Sequence, residues 1–198
     1  TFDDGPTPFS SISLDILEVL DRHDIKAAFC LIGLHVERNP EIVKEIYARG
    51  HELVNHGYNH LNFAFQNYRS TKREIEKCDA VIADAVGDFE FETRYYRPPY
   101  GFALSGTRKA MEEKKKDLAY ITLWVNDVWV TSKNATSYLR RLQKGIERQG
   151  GGCVVLHERV FSNPNNVNKE HVDKAWIPEI LDDFIIWGKE QGYQFICY

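Results

Sequence analysis

Lys26-Ala27-Ala28-Phe29-Cys30-Leu31-Ile32 is an unbroken, largely apolar run closed by Gly33. A short run of that kind, with no polar alternation, reads as a strand buried on both faces. Outward from it, Pro40 opens a helix that continues to Ala48, and Arg49-Gly50 ends it with a cation and a glycine cap. His51 to Asn55 reads as the next strand. On the other side, a helix is predicted over Ser10 to Arg22, where Leu14, Leu17 and Leu20 recur every three residues. Thr1 to Pro6 reads as the end of a strand already running into a turn, so the natural protein is expected to begin upstream.

The same alternation continues. Ser70 is expected to cap a helix whose inner face carries Ile75, Cys78, Ile82 and Ala85. Arg94 to Arg97 reads as a strand stopped by Pro98-Pro99, Ser105 to Lys116 as a helix, and Tyr120 to Val125 as a strand. Ser137 to Arg148 is a helix with Leu139, Leu142 and Ile146 inward, and Cys153 to Leu156 is a strand. Trp176, Ile180, Phe184 and Trp187 stripe a final helix before Tyr193 to Tyr198 closes the chain. Strands alternating with helices imply parallel strands covered by helices. The expectation is a single α/β domain over residues 1–198, a distorted, incomplete (β/α) barrel of about seven parallel strands.

Bulk properties exclude several classes. With 198 residues, 43% hydrophobic and 27% charged, the chain suits one soluble domain with a sizeable core. A net charge of −4 gives no electrostatic reason for nucleic acid as partner. No apolar run reaches the roughly 18 residues of a membrane span. Cys30, Cys78, Cys153 and Cys197 are too scattered for a disulfide framework and read as isolated buried thiols. Oligomeric state is not legible.

In a barrel or an open parallel sheet, functional groups collect at the C-terminal ends of the strands. Asp3-Asp4, His56 and His60, Arg97, Asp127 and His157 all fall at such ends, so the fold would bring them to one mouth. His56 and His60 are four apart, and a helical turn would put both imidazoles on one side. Two histidines and one carboxylate suit a zinc-type site with open positions. Adjacent Asp3 and Asp4 repel unless one meets a cation, which suggests one metal ligand and one base; an Asx-type turn before Gly5-Pro6 is the other reading.

Thr1-Phe2-Asp3-Asp4-Gly5-Pro6, His56-Gly57-Tyr58-Asn59-His60, Arg97-Pro98-Pro99-Tyr100 and Val155-Leu156-His157 together resemble the ordered motifs of the polysaccharide deacetylase family, the nodulation-factor deacetylase superfamily that includes chitin and peptidoglycan deacetylases. The resemblance implies a metal-dependent hydrolase that removes N-acetyl groups from a polysaccharide. It implies Asp3 as general base, Asp4, His56 and His60 as ligands of a divalent metal (Zn2+ first, Co2+ or Ni2+ as substitutes), and Arg97 holding Asp3. Tyr100 would offer its backbone N–H to the oxyanion and His157 would be the general acid. An extracytoplasmic location follows from the family alone. A small apolar acetyl pocket is expected from Val155 and Trp129, with Tyr58, Tyr96 or Phe102 stacking on sugar rings.

The text departs from the family in places. Gly57 stands where Ser or Thr is usual, which loosens the ligand loop. The fourth motif, normally ending Asp-Trp, reads Trp124-Val125-Asn126-Asp127-Val128-Trp129, so that either Asp127, orienting His157, or Trp129 is expected at the site. Val155 replaces Leu, and Glu158 replaces the Asp after the histidine. A degenerate glycan-binding member without turnover, and the same chemistry on another acyl group such as an O-acetyl ester, remain open alternatives. The Asn-rich stretch Phe161 to Lys169 reads as an exposed loop.

Overall fold

The computed structural model describes residues 1–7, 12–62, 65–159 and 174–198. Along the chain run β1 (Phe2–Gly5), α1 (Ile12–Arg22), β2 (Ala28–Leu31), α2 (Gly33–Arg38), α3 (Pro40–Ala48), β3 (Glu52–Asn55), α4 (Tyr68–Val86) and β4 (Tyr95–Tyr96). After a 3-10 turn at Pro99–Gly101 come α5 (Ser105–Glu113), β5 (Asp117–Leu118), α6 (Ala135–Gln149), β6 (Leu156–His157) and α7 (Ile177–Glu190). The strands form one parallel sheet in the order β5-β4-β3-β2-β1-β6. Among the described residues no helix is long and apolar enough to cross a membrane.

Strand alternation divides the core in two. Phe2, Phe29, Leu31, Leu53 and Leu156 face outward and pack with Ile16, Leu17 and Leu20 of α1, Leu142 of α6 and Ile180 of α7. Each such buried side chain contributes about 1.5–3 kcal/mol relative to exposure. The inner face carries the small residues Ala28, Cys30, Val54 and Ala119, against which Tyr95 and Tyr198 pack. That choice leaves room inside the curved sheet for the Arg97 guanidinium.

Several elements differ from expectation. Six strands are present among the described residues, and the sheet does not close. The fifth strand is Asp117–Leu118, not Tyr120 to Val125. The carbonyls that a longer strand would offer are taken by side chains: Arg97 Nε donates to Ala119 O at 2.6 Å and the Tyr198 hydroxyl to Tyr120 O at 2.8 Å. Beyond them Leu123 makes one parallel bridge to Val154, so the segment spans from the β4 edge to the β6 edge without completing a ladder. Tyr193 to Tyr198 adds no strand.

Smaller differences have local causes. Leu14 is exposed while Leu17 and Leu20 are buried, because repeated steps of three drift around a helix of 3.6 residues per turn. Asn67, not Ser70, caps α4; the Asn67 side chain accepts from Ser70 N, and the Ser70 hydroxyl accepts from Asn67 N. Helix α2 escaped the sequence reading. All four cysteines are unpaired, but Cys153 and Cys197 are only half-buried. Ser10, Ser11 and the stretch Phe161 to Lys169 lie outside the described residues.

Candidate metal centre

Successive strand residues point to opposite faces, so Asp3 and Asp4 share a site only if β1 is distorted. It is: Asp4 has φ 68°, and the register with β2 slips between Asp3 and Gly5. A left-handed non-glycine residue costs about 1–3 kcal/mol, which surrounding contacts must offset. Two do so. His35 Nδ1 lies 2.8 Å from Asp4 O, and buried Glu158 packs against Gly5, where a Cβ would collide with it. Glu158 in turn accepts hydrogen bonds from the hydroxyls of Ser13 and Thr7. Burial pushes the Glu158 carboxyl up to about 7.

Asp3, pointing inward, meets Arg97. Nη1 donates to both carboxylate oxygens at 2.9 and 3.0 Å, and the guanidinium also reaches the Tyr198 hydroxyl at 3.0 Å. Burial opposes ionisation of Asp3, but the charges of Arg97 and then of His56 override it and hold the carboxyl below its usual range.

Asp4, His56 and His60 are all buried, and each offers a donor atom within 4.8 Å of the others. The Nε2 atoms of His56 and His60 each lie 3.4 Å from Asp4 Oδ1. The two rings meet not through a helical turn, as their spacing suggests, but through a turn with Gly57 at φ 78° and His60 at φ 52°. His56 Nδ1 is 2.6 Å from the Arg97 carbonyl, a partner that assigns the proton to Nδ1 and frees Nε2 as donor. Burial lowers the His60 pKa to about 4, so that ring is neutral near pH 7. Burial opposes ionisation of Asp4, but its contact with His60 and its hydrogen bond with His56 hold the carboxyl below its usual range. One carboxylate and two imidazoles fit a divalent ion of the zinc type.

His157 stands beside Asp3 as its register partner on β6. Asp127 accepts from the His157 backbone N–H and lies 2.7 Å from Nδ1, the same distance as to the backbone nitrogen. Burial would lower the His157 pKa, but the Asp127 hydrogen bond and charge raise it to about 9. Lys174, which the sequence did not single out, donates to Asp127 O at 2.8 Å.

The expected pocket residues divide. Val155 is buried and, by alternation, shares the face of His157. Trp129 is 76% exposed, while Trp124, also unforeseen, meets the His157 ring edge-on at 5.8 Å between centroids. Tyr58 is buried, donating to Glu37 at 2.6 Å with Lys77 over its ring, and Tyr96 is buried too. Neither offers a face to a sugar. Phe102 and Tyr100 are exposed, and the Tyr100 ring lies 4.9 Å from that of His60, its backbone left-handed at φ 62°.

A profile of the family described as polysaccharide deacetylase matches residues 1–119. A peptidoglycan-N-acetylglucosamine deacetylase of Bacillus cereus is 30% identical over 99% of this chain and 83% of its own length. The peptidoglycan-N-acetylglucosamine deacetylase PgdA of Listeria monocytogenes is 36% identical over 99% of this chain but only 36% of its own. Among solved structures, the Bc1960 peptidoglycan N-acetylglucosamine deacetylase superposes with a TM-score of 0.80 at 26% identity, covering 99% of this chain and 83% of that one. A CE4 family pseudoenzyme from Bacillus anthracis shares the fold, with a TM-score of 0.74 at 24% identity over 98% of this chain and 61% of its own.

Proposed function

Since the chain belongs to the polysaccharide deacetylase family, we propose that it is a metal-dependent hydrolase that removes N-acetyl groups from the amino sugars of a polysaccharide such as peptidoglycan or chitin, releasing acetate. The observation that carries this reading is the convergence of Asp4, His56 and His60 with the Asp3–Arg97 and His157–Asp127 pairs at one end of the sheet. Such a substrate lies outside the cytoplasm, which places the protein there. Zn2+ is the resident ion best matched to the donors, with Co2+ or Ni2+ as substitutes.

The ion would supply a Lewis acid for the acetyl carbonyl and make water a stronger acid. Asp3, kept ionised by Arg97, takes the proton from the attacking water. The Tyr100 backbone N–H would donate to the charge that grows on the former carbonyl oxygen; one such donor is worth about 3 kcal/mol in a transition state. His157, protonated at neutral pH, delivers its proton to the nitrogen, because an amide nitrogen leaves poorly as an anion. Val155 and Trp124 would wall the acetyl methyl.

The test is acetate release from acetylated glucosamine oligomers, peptidoglycan and acetylated xylan. Release from the amino sugars that stops with chelator and returns with Zn2+ or Co2+ is the expected result. Release from xylan alone would move the reading to an O-acetyl esterase, and glycan binding without release would make the chain a non-catalytic member.

Asp127 gives a sharper prediction. As general acid, His157 acts only while protonated, so kcat/KM should fall as pH rises through about 9. In Asp127→Asn the largest raising influence is gone, leaving only the charges of Asp4 and Asp3 against burial. The alkaline limb should then move down by about one unit or more. An unmoved limb in the pH profile would remove Asp127 from this role.

A further inference from the structure

The ligand loop His56–His60 contains Gly57, whose left-handed backbone fixes nothing by itself, yet both histidines are buried and convergent. The fastening comes from outside the loop, from two acids on α4. Glu74, which is buried, accepts the Asn59 backbone N–H at 2.6 Å on Oε2 and the Asn59 side-chain amide at 2.8 Å on Oε1. The same carboxylate lies beside Gly57, with Oε2 3.4 Å from where a Cβ would stand. One helical turn and a residue later, Asp79 accepts from the Asn55 amide at 2.9 Å, and Asn55 Oδ1 accepts the Gly57 N–H at 2.9 Å. Lys116, buried, neutralises Asp79 at 2.6 Å.

We propose that Glu74 is a positioning residue for the metal centre, its two-point grip on Asn59 holding His60 in place where the loop lacks a side chain at position 57. This inference rests on the metal-centre reading above. Glu74 is not itself a ligand: its carboxylate is engaged on the outer side of the loop, and the convergent donor set among the described residues is Asp4, His56 and His60. Without the grip, the segment next to His60 must find its geometry each time an ion binds, and the ordering cost falls on affinity. The Asp79–Asn55 fastening sits at the His56 end and is independent of Glu74.

The experiment is Co2+ titration of the metal-free full chain, followed by calorimetry and by the visible absorption of the bound ion. Glu74→Gln keeps size but presents an NH2 to one of the two Asn59 donors. It is expected to weaken Co2+ binding by about 10–100-fold, the range typical of groups that orient ligands, and to change the absorption spectrum. Asn59→Ala, which removes one of the two contacts and leaves α4 intact, should give a smaller loss in the same direction, and carries the test if Glu74→Gln does not fold. A purely structural role would lower the melting temperature of the metal-free chain but leave Co2+ affinity and spectrum as in the wild type, which would overturn the proposal. If the wild type itself bound no Co2+, the metal-centre reading would fail instead, so the two failures are distinct.

Discussion

Asp3→Asn should lower kcat by about 10²–10⁴-fold while leaving Zn2+ affinity within roughly tenfold of the wild type. Asparagine keeps the shape and one acceptor oxygen but cannot take a proton. Asp3 stands outside the ligand trio; its Oδ2 lies 3.9 Å from His56 Nε2. The split between turnover and binding is therefore the signature of a base. Near-normal turnover would remove Asp3 from that role, and lost metal binding would make it a ligand. Single-turnover acetate release beside isothermal titration with Zn2+ separates these outcomes.

Arg97→Leu carries the largest expected cost in stability. Arg97 is 1% exposed and donates to Asp3, to Ala119 O and to the Tyr198 hydroxyl. Removing it leaves a carboxylate buried without its cation, which typically costs about 3–5 kcal/mol. At about 2–4 °C per kcal/mol for a chain of this size, the melting temperature should fall by roughly 6–20 °C. The pH dependence should change sign. In the wild type the folded-state pKa of Asp3 is depressed, so its contribution is present above the unfolded value of about 3.9 and is lost as pH falls through the native one. In the variant, burial and the Asp4 charge are opposed only by His56 and His157 and that pKa is expected to rise, so stability is lost as pH rises through it. The gap between the two melting temperatures should therefore be wider at pH 7 than at pH 4. An equal gap at both would show that Arg97 acts by packing alone.

What was legible in the text, and what was not, follows from where each signal resides. Helix α3 could be bounded to the residue because Pro40 and Arg49-Gly50 are local stops. The apolar run at Phe29 likewise announced β2, buried on both faces by its own composition. The fifth strand was misplaced because its length is decided by Arg97 and Tyr198 reaching in from distant parts of the chain. Likewise, Asp3, Asp4, His56, His60, Arg97, Asp127 and His157 were picked out because each is a polar residue at a strand end. How two neighbouring acids on one strand could face one site was not legible, since the bulge at Asp4 depends on His35 and Glu158. Glu74, Lys174 and Trp124 were missed for a related reason. An acid, a cation and an aromatic on a helix or loop carry no mark of the partner that three-dimensional contact gives them. The nearest local clue was Gly57 itself, a weak point in the ligand loop that calls for a support elsewhere.

The claim on which the account rests is that Asp4, His56 and His60 hold one divalent ion. Anomalous diffraction at the zinc edge, on crystals of the full chain grown with Zn2+, locates that ion directly. The expected result is one site per chain, with the Asp4 carboxylate and the Nε2 atoms of His56 and His60 at about 2.0–2.2 Å. An ion bound elsewhere, or no ion at saturating Zn2+ with these three side chains in the same place, would contradict it.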